Sequence, residues 1–183
     1  MSKRQQLMDT ALELFYRHGV RAIGINEVLK ASTVAKRTLY SHFDSKDELV
    51  LAALQCRHDT FLSWLESNIE QSSSNDEMIQ KLFAALRRWF RSDDPTLGAF
   101  RGCFFINTSA EFSDPDSPIS QACRAHKRDV RKLIGRHLPR ADESLADTIF
   151  LLKEGAITTA YLTGDGDQVV EQCLSALQGL VST

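Results

Sequence analysis

Residues Thr33 to Leu49 read Thr-Val-Ala-Lys-Arg-Thr-Leu-Tyr-Ser-His-Phe-Asp-Ser-Lys-Asp-Glu-Leu, and a short helix this polar has little to give a protein core. Within it Leu39 and Phe43 lie four residues apart and can anchor one face, while Lys36, Arg37, Thr38, Tyr40, Ser41 and His42 present charge, hydroxyls and ring edges elsewhere. A thin apolar keel under a hydrogen-bonding outer surface is what a helix needs to lie in the major groove of DNA. Just upstream, Ile25, Val28 and Leu29 recur at i, i+3 and i+4, so Gly24 to Ser32 predicts a short amphipathic helix that the polar pair Ser32-Thr33 breaks. Further upstream, Ser2 can cap a helix whose Leu7, Ala11, Leu14 and Phe15 form one apolar stripe, and Gly19 stops it. Three helices in about 40 residues is the least that buries a core around a helix-turn-helix.

Charge points the same way. The chain of 183 residues carries a formal net charge of −2, which argues against nonspecific nucleic-acid binding. Yet residues 1–43 hold seven basic against three acidic residues, a net +4, leaving −6 for the rest. A basic head on an acidic body turns the head toward phosphate. With 43% hydrophobic residues, four Pro, nine Gly and no alternating β-branched run, the sequence predicts an all-α protein. No signal peptide opens the chain and no apolar run approaches the roughly 20 residues of a membrane span, so a cytoplasmic protein without membrane contact is expected. Cys56, Cys103, Cys123 and Cys173 are widely spaced, which argues against a zinc site or disulfide framework. Neither a metal nor a cofactor is expected.

Several stretches resemble the DNA-binding domain of the tetracycline-repressor (TetR) family of bacterial transcriptional regulators. They are Leu12-Glu13-Leu14-Phe15, the terminating Gly19, Ile25 to Leu29, Val34 to Phe43, and Ser45-Lys46-Asp47-Glu48-Leu49. Three positions depart from the family pattern. Thr33 stands at a turn position usually held by Gly, Ala35 replaces the usual hydroxyl cap of the recognition helix, and Arg37 stands where a small Gly is common. The resemblance implies a helix-turn-helix domain over residues 1–46, touching an operator in double-stranded DNA through Gly24, Thr33, Ala35, Lys36, Arg37, Thr38, Tyr40, Ser41, His42 and Lys46. Thr38 and Lys46 are the phosphate contacts in this reading. It also implies a helical effector-binding and dimerisation domain over residues 47–183, for about nine helices in all.

In that body, Ser45 to Glu48 caps a long helix to Ile69, and Gln71 to Asn75 forms a loop. Further helices are expected from Asp76 to Phe90, Gly102 to Phe112, Ser117 to His137, Asp142 to Thr163 and Asp167 to Leu180. Leu152, Ala156 and Ala160, with Val170, Leu174 and Leu177, offer more apolar surface than one helical hairpin hides, and the resemblance implies that such helices from two subunits form a four-helix bundle. A homodimer also reads a palindrome, which one recognition helix cannot. The resemblance further implies a small-molecule effector inside the body. The side chains offered for it are Phe61, Trp64, Phe83, Cys103, Phe104, Phe150 and Tyr161, with His58, Asn107, Glu111 and Glu154 as polar anchors, suiting a small, mostly apolar ligand. Each aromatic ring serves equally as core.

Cys103 follows Gly102 at the start of a helix, soon after Arg101, a setting that favours a thiolate. Its segment resembles one found in a branch of the family that includes electrophile sensors, so a redox or electrophile-sensing repressor is the alternative reading; a small inert hydrophobe is another. An enzyme or a helical adaptor without DNA binding is the other class. No Gly-x-Ser-x-Gly, His-Glu-x-x-His or phosphate-loop motif supports catalysis, and the basic recognition helix argues against the adaptor. The expected function is a ligand-responsive repressor.

Overall fold

The computed structural model describes residues 2–181, with side chains through residue 179; Leu180, the expected end of the last helix, lies outside those side chains. Among the described residues there are nine α-helices and no strand. In α1 (Lys3–His18) the Ser2 hydroxyl accepts from the Gln5 N–H, and Gly19, at φ 89°, closes the helix with its own N–H on the Phe15 carbonyl. Next come α2 (Ile25–Ser32) and α3 (Lys36–Tyr40). Helix α4 (Lys46–Ile69) starts with a reciprocal cap: Ser45 Oγ accepts from the Glu48 N–H, and the Glu48 carboxylate from the Asp44 N–H. Ser74 caps α5 (Asn75–Phe90), one residue ahead of the expected start.

Helix α6 (Phe104–Glu111) begins later than the apolar run suggests, because Gly102 sits at φ 76°. Then follow α7 (Pro118–His137), α8 (Glu143–Thr163, capped by Asp142) and α9 (Gly166–Val181). None of the described helices is long and apolar enough to cross a membrane.

The chain forms two compact units, residues 1–59 with 104–126 and residues 60–103 with 127–183. This division differs from a boundary at residue 46: the first half of α4, all of α6 and the start of α7 join the head. In the first unit α1 packs on α2 and α3, and Leu7, Ala11, Phe15, Val28, Leu39, Phe43 and Leu49 are at most 2% exposed. Burying each of the larger of these side chains is worth about 1.5–3 kcal/mol.

In the second unit α5, α8 and α9 pack on one another. Their seam corrects the expected dimer face. Ala156, Ala160, Val170 and Leu177 are buried within this single chain, and Leu152 and Leu174 are half-buried. The apolar period of α8 and α9 is consumed by packing α8, α9 and α5 together.

Candidate functional site

The head presents α3 as the sequence leads one to expect. Leu39 and Phe43 are buried, and Lys36, Arg37, Tyr40, Ser41 and His42 are exposed. Lys36 Nζ lies 6.0 Å from the centre of the Tyr40 ring, so charge and aromatic edge share one patch. Thr33 takes the left-handed conformation at φ 54°, ψ 24°, where a β-branched residue is strained. Ala35 caps α3 without a side-chain hydrogen bond. At Gly24 a Cβ would lie 2.7 Å from the Glu27 carboxylate, so a side chain there displaces Glu27.

Two residues expected at ligands instead hold the head together. Lys46, expected at phosphate, donates from Nζ to the Val20 carbonyl at 2.7 Å and lies 5.9 Å from the Phe15 ring centre. Glu111, expected at the effector, accepts from the backbone N–H groups of Val20 (2.9 Å) and Arg21 (2.6 Å). The connection between α1 and α2 is thus gripped from one side by the first residue of α4 and from the other by the last residue of α6. A charged acceptor fits there because Val20 is buried and its N–H has no water to turn to.

The second unit contains a cluster of ionisable groups. Lys153, 1% exposed, donates to Glu154 Oε1 at 2.6 Å, and its ammonium lies 5.3 Å from the Phe61 ring centre and 5.8 Å from that of Phe150. Lys127 donates to the other carboxylate oxygen of Glu154 and to Cys103 Sγ at 3.1 Å. Burial pushes the Lys153 pKa down, with Glu154 offsetting it only in part. Burial also works against the charges on Glu154 and Lys127, but the neighbours win: Lys153 and Lys127 hold the Glu154 carboxyl below its usual range, and the Cys103 sulfur and then Glu154 hold the Lys127 ammonium above its own.

Comparison with known proteins then bears on the fold and the head together. The family model for bacterial regulatory proteins of the TetR family matches residues 7–53, the α1–α3 head and the start of α4. The HTH-type transcriptional repressor ComR of Escherichia coli is 31% identical over 115 residues, 62% of this chain and 52% of ComR. The HTH-type transcriptional activator FasR of Mycolicibacterium smegmatis is 36% identical over 88 residues, 48% of this chain and 39% of FasR. These matches span about half, or less, of either relative. The crystal structure of a TetR-family transcriptional regulator from Streptomyces coelicolor superposes with a TM-score of 0.85 at 27% identity, covering 98% of this chain and 94% of that one.

Residues 7–53 carry the TetR-family DNA-binding pattern, and the chain as a whole has the fold of a TetR-family regulator. These relatives are all transcriptional regulators.

Against this TetR-family frame the expected effector residues divide. Phe61, Cys103, Phe150 and Glu154 come together around Lys153 and Lys127. Trp64 is core, its Nε1 donating to Asp94 Oδ2 at 2.7 Å, and Phe83 is fully buried. Phe104 is core of the head, edge-on to Tyr16 at 5.9 Å. Tyr161 is 53% exposed, its ring 3.2 Å from where a Gly102 Cβ would stand, and so belongs to the surface. Asn107 is half-buried on α6. His58 faces His126, the two Nδ1 atoms 3.2 Å apart, with Phe105 stacked on His126 at 3.5 Å.

Sequence reading missed both lysines of the cluster. For Lys153 a signal existed: it interrupts the apolar run from Ile149 to Leu152 in α8, where a charge has no reason to be unless a partner meets it. For Lys127, on a helix full of Lys and Arg, there was none.

Proposed function

We propose that this chain is a TetR-family, ligand-responsive repressor that binds a palindromic operator as a homodimer through α3 and is released by a small effector held in the body. The observation that carries this reading is the build of α3 and the turn that follows it, residues 36–43, with five exposed polar side chains over a buried Leu39 and Phe43. Arg37 and Lys36 suit guanine edges and phosphates, and Tyr40, Ser41 and His42 suit base edges and sugar-phosphate oxygens. Repression needs only occlusion of a promoter, whereas activation needs a further contact surface.

The test is selection of bound fragments from random or genomic DNA with purified protein. An inverted repeat is expected, and on it Arg37→Ala and Tyr40→Ala should each weaken binding by about 1–3 kcal/mol with helicity unchanged. Fragments without a shared sequence, or full affinity in both variants, would overturn the reading.

One observation favours a second mode of release. Lys127 Nζ lies 3.1 Å from Cys103 Sγ, and an ammonium beside a sulfur is the setting in which cysteines react with electrophiles. A covalent switch would show a mass adduct at Cys103 and lose its response entirely in Cys103→Ser; a noncovalent site would tolerate that change.

The exposed face of α8 supports the dimer. Leu151 (66% exposed) and Leu162 (77%) lie with exposed Gly155 and Thr158 at spacings of four, three and four, one uncharged stripe along the helix. A Cβ on Gly155 would meet nothing within 4 Å, so a second helix has room to approach there. The α8 helix of a second copy fits this stripe.

A further inference from the structure

We propose that the Lys153 cluster is an anion site and that the effector is a monoanion, a carboxylate on a small apolar body, received by Lys153 and Lys127. The proposal rests on the reading of the chain as ligand-responsive and names the chemistry of its ligand.

Two ammonium groups, Lys153 and Lys127, bracket the single carboxylate of Glu154, one on each oxygen. Two lysines thus face one carboxylate in a site whose deepest member is 1% exposed. An uncompensated buried charge is among the costliest features a protein interior can hold.

An ammonium carries three N–H groups. Lys153 spends one on Glu154, and its other neighbours of note are the faces of Phe61 and Phe150, which attract a cation but are poor substitutes for an oxygen acceptor. A carboxylate brings two acceptor oxygens and one negative charge, giving two cations against two anions. A phosphate dianion would overshoot that balance.

The side chains of Lys127 and Glu154 remain 21% and 16% exposed, while Lys153 lies beneath them. Exposure therefore falls from Lys127 through Glu154 to Lys153, whose ammonium has the Phe61 and Phe150 rings beside it. A headgroup that reaches Lys153 carries its apolar body against Phe61 and Phe150. Burial lowers the Lys153 pKa and an anion beside the ammonium raises it, so any proton exchanged on binding should be taken up by the protein.

The experiment uses the purified full chain and two matched pairs of probes, 1-naphthoate with 1-naphthamide and octanoate with octanamide, followed by thermal midpoint and titration calorimetry. The carboxylate of at least one pair should raise the midpoint and bind about tenfold or more tightly than its amide, with proton uptake revealed by buffers of different ionisation enthalpy. Lys153→Met should lose that preference, since it keeps the stem and removes the charge. The comparison of acid with amide on the unaltered chain needs no variant to fold. Equal binding of acid and amide, failure of both carboxylates to bind, or an unchanged preference in a folded Lys153→Met would each overturn the proposal. Carboxylate binding seen only in Cys103→Ser would mean that the sulfur already supplies the balancing charge, and would overturn it too. Operator affinity, measured separately by fluorescence anisotropy without any probe, distinguishes the two readings: selective DNA binding with no anion preference sinks this proposal alone, whereas loss of selective DNA binding sinks the regulator.

Discussion

Thr33 is the most strained residue of the recognition motif. Its φ of 54° is a conformation that glycine adopts freely and a β-branched side chain does not. The cost is of order 1–2 kcal/mol, so Thr33→Gly should raise the denaturation free energy of the chain by about 1 kcal/mol, less than the strain because glycine gains freedom when unfolded. Ala35→Ser should add a further ~1 kcal/mol, because α3 is capped without a side-chain acceptor and serine supplies one. Urea titration of the two variants and their combination measures both effects, and destabilisation by either would refute the account of this turn. Both weaknesses were legible in the sequence, since turn and cap positions are local. The roles of Lys46 and Glu111 were not: their partner segment lies 26 and about 90 residues away in the chain, and no periodicity reports a contact of that range.

At the scale of elements, the grip of α4 and α6 on the connection between α1 and α2 makes a definite expectation. Glu111→Ala leaves the buried Val20 N–H without its acceptor, a loss of about 1–3 kcal/mol, and should lower both the stability of the head and its operator affinity. A variant that kept full operator affinity would return Glu111 to the body. The lysine cluster carries a pH dependence with opposite signs at its two ends. Glu154 is held below its ordinary value of 4.5, so its contribution is complete above that value and is lost as pH falls through the folded one. Lys153 is held below its ordinary value of 10.5, so the penalty of charging it is relieved as pH rises from its folded value toward that figure. Thermal midpoints should therefore fall on the acid side in the unaltered chain, and the gap between Lys153→Met and the unaltered chain should shrink as pH rises. A gap that is constant across the alkaline range would contradict the placement of Lys153. Helix order and most boundaries were readable in the sequence, the start of α1 from its Ser2 cap, yet the aromatic residues were not sortable, because Trp64 and Phe61 satisfy the same apolar period and only the fold decides which one meets a lysine.

For the whole molecule, the question is what covers α8. An apolar pattern in sequence does not say whether a face is consumed within the chain or left for a partner. Here Ala156 and Ala160 are consumed, and the residues between them in register, Leu151, Gly155, Thr158 and Leu162, are left over. A palindromic operator demands two recognition helices on a twofold axis, and an uncharged stripe with a small residue at its middle is suited to pack against its own copy. Leu151→Glu and Leu162→Glu should each yield a folded monomer at micromolar concentration by sedimentation, because two like charges then face each other across the axis while nothing inside the chain changes. Operator affinity should drop steeply in the same variants, since each monomer reads only half a site. Ala156→Glu should behave differently: at 2% exposure the charge falls inside the α5, α8 and α9 seam, and the outcome is loss of the fold rather than a clean monomer. Dimers that persist in both leucine variants would place the interface on another face.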